Sequence, residues 1–221
     1  MTNAPEVNAL ASMLTAAMPR LADSEQRIAL TLIRQLALGV PVGVSRLASA
    51  AEVSEAQITD TLDHLPGVFR DEEQRVVGFM GLSVAEFGEH RIEVGGRTLT
   101  AWCAWDTLFL PELLGAPARV RSRCPGTGER ISLTVGRDGP SDVRPAGTVL
   151  SLLAPERPFD ADVVRSFCHF VNFFASEQAA GEWTERHPGT FTLSLEQGFQ
   201  LGRRTNQATF GSAHGSADIA A

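Results

Sequence analysis

The sequence contains no lysine, so all 19 of its basic residues are arginines, against 26 acidic residues and a net charge of −7. Proteins that bind nucleic acid without sequence preference depend on surplus positive charge facing the phosphates. This composition therefore argues against non-specific phosphate binding. The missing lysine is a compositional bias and does not mark a site.

Long hydrophobic runs are also missing. No stretch of the chain approaches the roughly 18 to 20 apolar residues that a membrane-spanning helix needs. The N-terminus has no basic segment followed by a long apolar stretch, the pattern of a secretory signal. We therefore expect a cytoplasmic protein that does not interact with membranes.

Cysteine is scarce, with three residues in 221, and none of them forms a CxxC pair. An odd and sparse set in a reducing compartment favours free thiols over a disulfide framework. No group of cysteines and histidines has the spacing of a zinc site. The role of each cysteine must therefore come from its surroundings.

The chain is 43% hydrophobic, enough for a real core, and its first part, residues 1–82, has the element order of a winged-helix unit. One helix is predicted to begin near Asp23 and to stop at Gly39. The run VSRLASAA follows, and then a helix that Ser54 can cap. Two apolar stretches around the acidic residues 71–73 predict a hairpin.

A winged helix often binds DNA, but the charge of this segment points elsewhere. Residues 1–82 hold ten Asp and Glu against six Arg, and SEAQITDTLDH has three acidic residues and no Arg. A helix that enters a DNA groove normally brings a basic footprint. We favour a helical cap packed on the second domain, with a DNA-binding metal sensor as the alternative.

The second part, residues 83–205, predicts an α+β domain of antiparallel strands and short helices. A hairpin around Gly95 and Gly96, strands in ARVRSRC, RISLTVG and GTVLSLLAP, and a helix capped by Ser176 follow from local patterns. The alternation in VRSFCHFVNFFAS predicts a further strand. Residues 206–221, rich in Ala, Gly and Ser, are expected to form a disordered tail.

Cys103 and Asp106 stand three positions apart in one of the most apolar runs of the chain, AWCAWDTLF. If this run is helical, the two side chains share one face, about 5 to 6 Å apart between Cβ atoms. Pro111 then kinks or breaks the helix and keeps it short. The alternative is that Asp106 caps a turn beginning at Thr107 and that Cys103 is a small buried hydrophobe.

The other two cysteines have structural interpretations. Cys168 lies among four phenylalanines and is read from this pattern as a core residue. Cys124 precedes Pro125 and Gly126 in a turn between predicted strands and is read as structural.

Two longer segments carry a family resemblance. LTAWCAWDTLFLPELLGAPARVRSRCPGTGERISLTV and VVRSFCHFVNFFASEQAAGEWTERHPG resemble the organomercurial lyase (alkylmercury lyase) family of bacterial mercury resistance. The resemblance runs from about residue 25 to residue 205. It includes the family motif WCAxDTL, matched at residues 102–108, and the motif SFCxxVxFFAS, matched at residues 166–176.

The resemblance implies that carbon–mercury bonds are cleaved by Cys103, Cys168 and Asp106, giving a hydrocarbon and Hg(II) held by the two sulfurs. Mercury is then substrate and product, so no cofactor is implied. A small thiol or a mercuric reductase would accept the Hg(II), and nucleic acid would not be a partner. Some relatives have a second cysteine after the later catalytic one, where this chain has His169, and Cys124 matches a cysteine taken as structural.

Chemistry supports this assignment. Mercury(II) is a soft ion that prefers thiolates, and the thiol proton that it displaces needs an acceptor such as Asp106. An apolar setting from Trp102 and Trp105 would raise the pKa of Asp106 and suit it to return a proton to carbon. A soft-metal chaperone could use the two thiols alone, and Asp106 argues against that alternative.

Overall fold

A computed structural model describes residues 6–214 of the chain, and the side chains of residues 6–211. The helices of this part are α1 (Val7–Ala17), α2 (Asp23–Leu36), α3 (Val44–Ala51), α4 (Glu55–His64), α5 (Asp106–Leu114), α6 (Val163–Ser166), α7 (Glu177–Thr184) and α8 (Leu195–His214). A short 3-10 helix covers Cys168–Phe170. Apart from α1, α6 and α8, the helices follow the start signals and apolar spacing seen in the sequence.

The strands form two antiparallel sheets. They are β1 (Phe69–Arg70), β2 (Val76–Phe79), β3 (Leu82–Ser83), β4 (Arg91–Val94), β5 (Arg97–Ala101), β6 (Ala118–Arg123), β7 (Arg130–Gly136), β8 (Gly139–Arg144), β9 (Val149–Leu153), β10 (Phe173–Phe174) and β11 (Thr190–Ser194). The large sheet has the order β1-β2-β3-β5-β4-β6-β7-β8, and the small one the order β10-β9-β11. The α+β class predicted from the sequence is confirmed.

Several local predictions are also confirmed. β4 and β5 pair across Gly95 and Gly96, and both glycines have positive φ, as a two-residue hairpin turn requires. Ser54 and Ser176 each accept a hydrogen bond from a backbone N–H three residues later. Turn and cap chemistry is local, so these elements can be recognised without tertiary information.

The N-terminal helices pack on the rest of the chain. α1 contacts α8, and α2 contacts both α5 and α8. The Arg34 guanidinium donates to the backbone oxygen of Leu113 at 3.2 Å. β3 pairs with β2 on one side and β5 on the other, so the boundary expected at residues 82 and 83 falls inside a strand of the large sheet. The two parts of the chain share one sheet.

The strand expected in VRSFCHFVNFFAS is wrong for most of its length. The segment forms α6, then the 3-10 helix, and only Phe173 and Phe174 are extended. Its backbone bonds are local, with the N–H of Val171 donating to the oxygen of Cys168 at 3.0 Å. Phe167 and Cys168 are both buried, so burial does not alternate as it would along a strand exposed on one face.

The disordered tail expected for residues 206–221 is wrong for residues 206–214, which continue α8. Asn206 and Phe210 are buried, and the Asn206 amide donates to Phe109 O and Glu112 Oε2. The Ala, Gly and Ser content of the segment did not indicate that one face of the helix is buried. Residues 215–221 lie outside the described part of the chain. No helix in the described part is long and apolar enough to cross a membrane.

Candidate active site

Cys103 lies in the turn between β5 and α5, and Asp106 is the first residue of α5. The N–H of Trp102 donates to the oxygen of Gly81 at 2.9 Å, which anchors the turn. The N–H of Cys103 donates to Asp106 Oδ2 at 2.8 Å. The two residues are therefore close, but not through a shared helix face, because Cys103 precedes the helix. The alternative, in which Asp106 caps a turn beginning at Thr107, is not seen, because the Asp106 carboxylate accepts from Cys103 N–H, which precedes it in the chain.

Pro111 lies inside α5, which continues for three residues beyond it. Of the expected kink or break, the break does not occur, and the helix is short as expected, with nine residues. Proline removes one donor of the helix ladder, and a short helix held by burial tolerates that loss. Leu110 and Leu113, on either side of Pro111, are both fully buried.

Cys168 comes from a segment far along the chain but lies beside Cys103 and Asp106. It begins the 3-10 helix after α6, and the oxygen of Val171 accepts from Ala104 N–H at 3.0 Å. That bond joins the segment of Cys168 to the turn of Cys103. The Ser151 hydroxyl, fully buried on β9, donates to the oxygen of Phe170 at 2.7 Å and fixes the same turn.

The sulfur atoms of Cys103 and Cys168 and a carboxylate oxygen of Asp106 all lie within 4.8 Å of one another. The exposed fractions are 0% for Cys103 and 5% for each of the other two. The structure therefore brings together all three residues predicted from the sequence. Two thiols and a carboxylate around one point form a donor set for a soft cation, with a proton acceptor beside it.

Burial governs the acidity of the cluster. It raises the pKa of Asp106 to about 7, although hydrogen bonds from the Cys103 thiol and N–H oppose the rise. Burial also raises the pKa of Cys103 well above its usual value, and Cys168 and the Asp106 charge add to the rise. The hydrogen bond with Cys103 lowers the pKa of Cys168, but burial and the Asp106 charge outweigh it, and the net direction is upward. The thiols thus stay protonated until a metal displaces their protons.

A cavity of about 60 Å³ opens onto the cluster. Asp106 and Cys168 line it, and fully buried Cys103 lies behind them. The remaining wall residues are mostly apolar or aromatic: Met18, Pro19, Pro66, Gly67, Met80, Gly81, Trp102, Trp105, Phe109, Phe159, Asp160, Val163 and Phe167. No basic side chain is among these wall residues, so the cavity is suited to an apolar group that carries positive charge.

Gly81 is a site residue that sequence analysis missed. It follows Met80 in the turn between β2 and β3, and both residues have positive φ. A Cβ at Gly81 would lie 2.5 Å from Cγ of Asp106 and 2.6 Å from its Oδ1. The signal in the sequence was the MG pair between two apolar stretches, which marks a tight hairpin turn but does not show what packs on it.

Cys124 is not part of the described cluster. It is buried, its N–H donates to the oxygen of Glu129 at 2.9 Å, and its oxygen accepts from Gly128 at 2.8 Å. These bonds close the turn between β6 and β7. The position agrees with the structural role expected for Cys124.

The comparisons of this chain with known proteins agree with one another. The family model described as alkylmercury lyase matches residues 84–207. The alkylmercury lyase of Pseudomonas putida is 42% identical over 172 residues, covering 78% of this chain and 79% of that protein. The Staphylococcus epidermidis alkylmercury lyase is 40% identical, with 78% of each chain covered. A solved structure of the mercury-bound form of MerB2 has a TM-score of 0.73 at 28% identity, and the match covers 92% of this chain and 98% of that one.

Proposed function

The chain belongs to the alkylmercury lyase family, and on this premise we propose that Cys103, Cys168 and Asp106 carry out the carbon–mercury cleavage. The protein is an organomercurial lyase of mercury detoxification, acting on organomercury compounds. The observation that carries the proposed roles is the meeting of two thiols and one carboxylate within 4.8 Å at a cavity wall. The similar MerB2 structure is of a mercury-bound form, which supports mercury as a ligand of this chain.

Capture of the substrate exchanges a proton for mercury. A thiol of the pair bonds to the mercury of R–Hg⁺, and its proton moves to the ionised Asp106 carboxylate. With a pKa of about 7, this carboxylate is present in both protonation states near neutral pH. A carboxylate of ordinary pKa would hold that proton too weakly to return it later.

Cleavage uses the second thiol, which loses its proton to solvent as its sulfur bonds to mercury, while the proton held by Asp106 goes to carbon. When both sulfurs donate to mercury, electron density shifts toward the carbon of the carbon–mercury bond. The electron pair of that bond takes a proton from Asp106 and becomes the new carbon–hydrogen bond. The balance is R–Hg⁺ plus two thiols giving R–H, one Hg(II) dithiolate and one H⁺. The apolar cavity keeps water away from the developing charge.

Release of Hg(II) needs another soft ligand, because the dithiolate product holds the metal strongly. We propose that a small thiol or the thiols of a mercuric reductase take the metal from Cys168, the cysteine at the cavity wall. No cofactor takes part in this scheme. The reaction requires both cysteines as free thiols, a state that the reducing cytoplasm maintains.

The test combines product analysis with mercury counting. Purified protein is incubated with methylmercury or phenylmercury and a small thiol, and methane or benzene is measured. The wild type should release hydrocarbon over many turnovers with the thiol present, and in a separate single turnover without added thiol it should retain one Hg(II) per chain. Cys103→Ser and Cys168→Ser should lose turnover.

Cys124→Ser is the matched control. It should cost on the order of 1 to 2 kcal/mol of stability and keep its activity in the folded fraction. Near wild-type release by Cys168→Ser would show that the paired-thiol roles are wrong.

A further inference from the structure

Two of the four methionines of the chain, Met18 and Met80, line the cavity that opens onto the cysteine pair. They come from separate elements, since Met18 directly follows α1 and Met80 lies in the turn between β2 and β3. Both are partly buried against the core. Met13, by contrast, is on the surface with an exposed fraction of 39%.

Met80 occupies a backbone conformation that does not favour methionine. Phe79 and Leu82 pair across a two-residue turn, with φ of 45° at Met80 and 87° at Gly81. Asn and Asp are the usual non-glycine residues at the first position of such turns, because they tolerate positive φ and bond to nearby backbone. Methionine offers the turn neither advantage. The turn itself therefore does not explain why this side chain stands at the cavity.

Met18 is held in place by its neighbours along the chain. Its N–H donates to the oxygen of Leu14 at 3.0 Å, and the oxygen of Ala17 accepts from Phe159 N–H at 2.8 Å. Phe159 also lines the cavity. The end of α1 is thus tied to the segment before α6, and the thioether is carried on a fixed part of the wall.

We propose that Met18 and Met80 form a thioether site that contacts the mercury of the substrate on its way to Cys168 and Cys103. The inference rests on the proposed function of the cysteine pair. Thioether sulfur is a soft ligand that suits soft metals, and it is neutral. It donates a lone pair to mercury without releasing a proton and is displaced when a thiolate binds. A neutral, weak ligand at the wall favours entry of mercury without competing for it at the cysteines.

The test must separate the effect of the methionine sulfur atoms from the effect of side-chain volume. Met18→Leu, Met80→Leu and the double variant keep apolar volume and remove sulfur, and Met13→Leu is the matched control at an exposed position. With methylmercury and a fixed excess of small thiol, kcat/KM of the double variant should fall by about tenfold, the low end for one pocket contact. The loss should be in KM while kcat is kept, since the thioethers act before cleavage. Met13→Leu should match the wild type.

Norleucine incorporation provides a second measurement. Norleucine replaces only the sulfur by a methylene, so the shape of the side chain and the fold are kept. The norleucine protein should show the same rise in KM as the double Leu variant. Wild-type kcat/KM in the norleucine protein would show that the two methionines only fill space, and the proposal would be wrong.

The result is distinguishable from a failure of the proposed function. At saturating methylmercury, the double Leu variant should release methane at the wild-type rate. Absence of methane in the wild type would overturn the roles of the cysteine pair and, with them, this proposal. Methane from the wild type with unchanged KM in both the double Leu variant and the norleucine protein would overturn the thioether site alone.

Discussion

At the scale of single residues, the space for the Asp106 carboxyl group depends on Gly81. A Cβ at that position would come within 2.9 Å of three atoms of Asp106, closer than real contacts of this kind. The carboxyl group is itself held by Cys103 N–H. Gly81 therefore serves both the tight turn and the position of the proposed proton carrier.

Gly81→Ala should lower the free energy of unfolding by more than the strain of an alanine at positive φ alone would. Gly96 is the matched control, since its φ of 75° is similar and a Cβ there would meet nothing within 4 Å. We expect Gly81→Ala to lose about 1 to 3 kcal/mol more stability than Gly96→Ala, the usual cost of overpacking. It should also slow single-turnover hydrocarbon release. Chemical denaturation checks the first expectation, and equal losses in the two variants would contradict it.

The pKa of Asp106 also predicts a pH dependence of stability. The pKa is about 7 in the folded protein and 3.8 ordinarily, so between these values the folded state holds a proton that the unfolded state has released. Stability from this group therefore falls as pH rises from about 4 to about 7. Asp106→Asn does not titrate. Its unfolding free energy relative to the wild type should increase over that window, by up to about 4 kcal/mol, and stay level above it.

Using the difference between the two proteins removes the effect of other groups. Burial lowers the pKa of His90 to about 4, so its contribution to stability has the opposite sign and rises with pH up to about 6.5. His90 is present in both proteins and cancels. A difference that does not change with pH would show that Asp106 is not desolvated as described.

At the scale of elements, local signals explain what the sequence predicted well. The hairpin at Gly95 and Gly96 and the caps at Ser54 and Ser176 depend on residues within a few positions of each other. The segment around Cys168 was misjudged because its geometry depends on distant partners, such as the hydroxyl of Ser151. An apolar run of four phenylalanines looks the same in a strand and in a buried turn.

The cysteine pair also shows that local sequence signals do not reveal contacts between distant parts of the chain. Cys103 and Asp106 could be linked from their spacing, whereas Cys168 is 65 positions away from Cys103 and was linked only through family resemblance. Met18, Met80 and Gly81 carried no chemical signal, because a tertiary contact alone brings them to the cavity.

The composition of residues 206–214 predicted disorder, but these residues form the end of α8. We expect this end of the helix to contribute to the free energy of unfolding. Phe210 is fully buried, so Phe210→Ala should cost about 3 to 5 kcal/mol in the free energy of unfolding. Arg204→Ala, at an exposed position of the same helix, should change it by less than about 0.5 kcal/mol. Denaturant titration measures both. A cost for Phe210→Ala as small as that of Arg204→Ala would favour the disordered tail after all.

At the scale of the whole molecule, the winged-helix-like segment is part of the enzyme. Its strands β1 to β3 belong to the large sheet, and Met80 and Gly81 at their turn line the cavity. On α4, the helix that would enter a DNA groove, Glu55, Asp60 and Asp63 are all exposed. The segment thus contributes walls and packing, and the exposed side of its helix α4 is acidic.

We expect no binding to duplex DNA. An acidic face gains no phosphate attraction, so a promoter fragment near the gene of this protein should remain unbound at micromolar protein and low salt. A gel-shift or anisotropy titration measures this, with a basic winged-helix protein as positive control. Salt-sensitive binding below micromolar concentration would instead support the metal-sensor alternative.

In the proposed mechanism Asp106 moves protons and does more than hold a turn. Asp106→Asn keeps an acceptor for the Cys103 N–H and leaves both thiols in place. Two quantities are measured in the wild type and the folded Asn variant: single-turnover hydrocarbon release from an organomercurial and, in a separate titration, the number of added Hg(II) ions bound per chain. Release should fall by about 10² to 10⁴-fold while one Hg(II) per chain is still bound. Unchanged release would show that the carboxyl group has only a structural role and moves no proton.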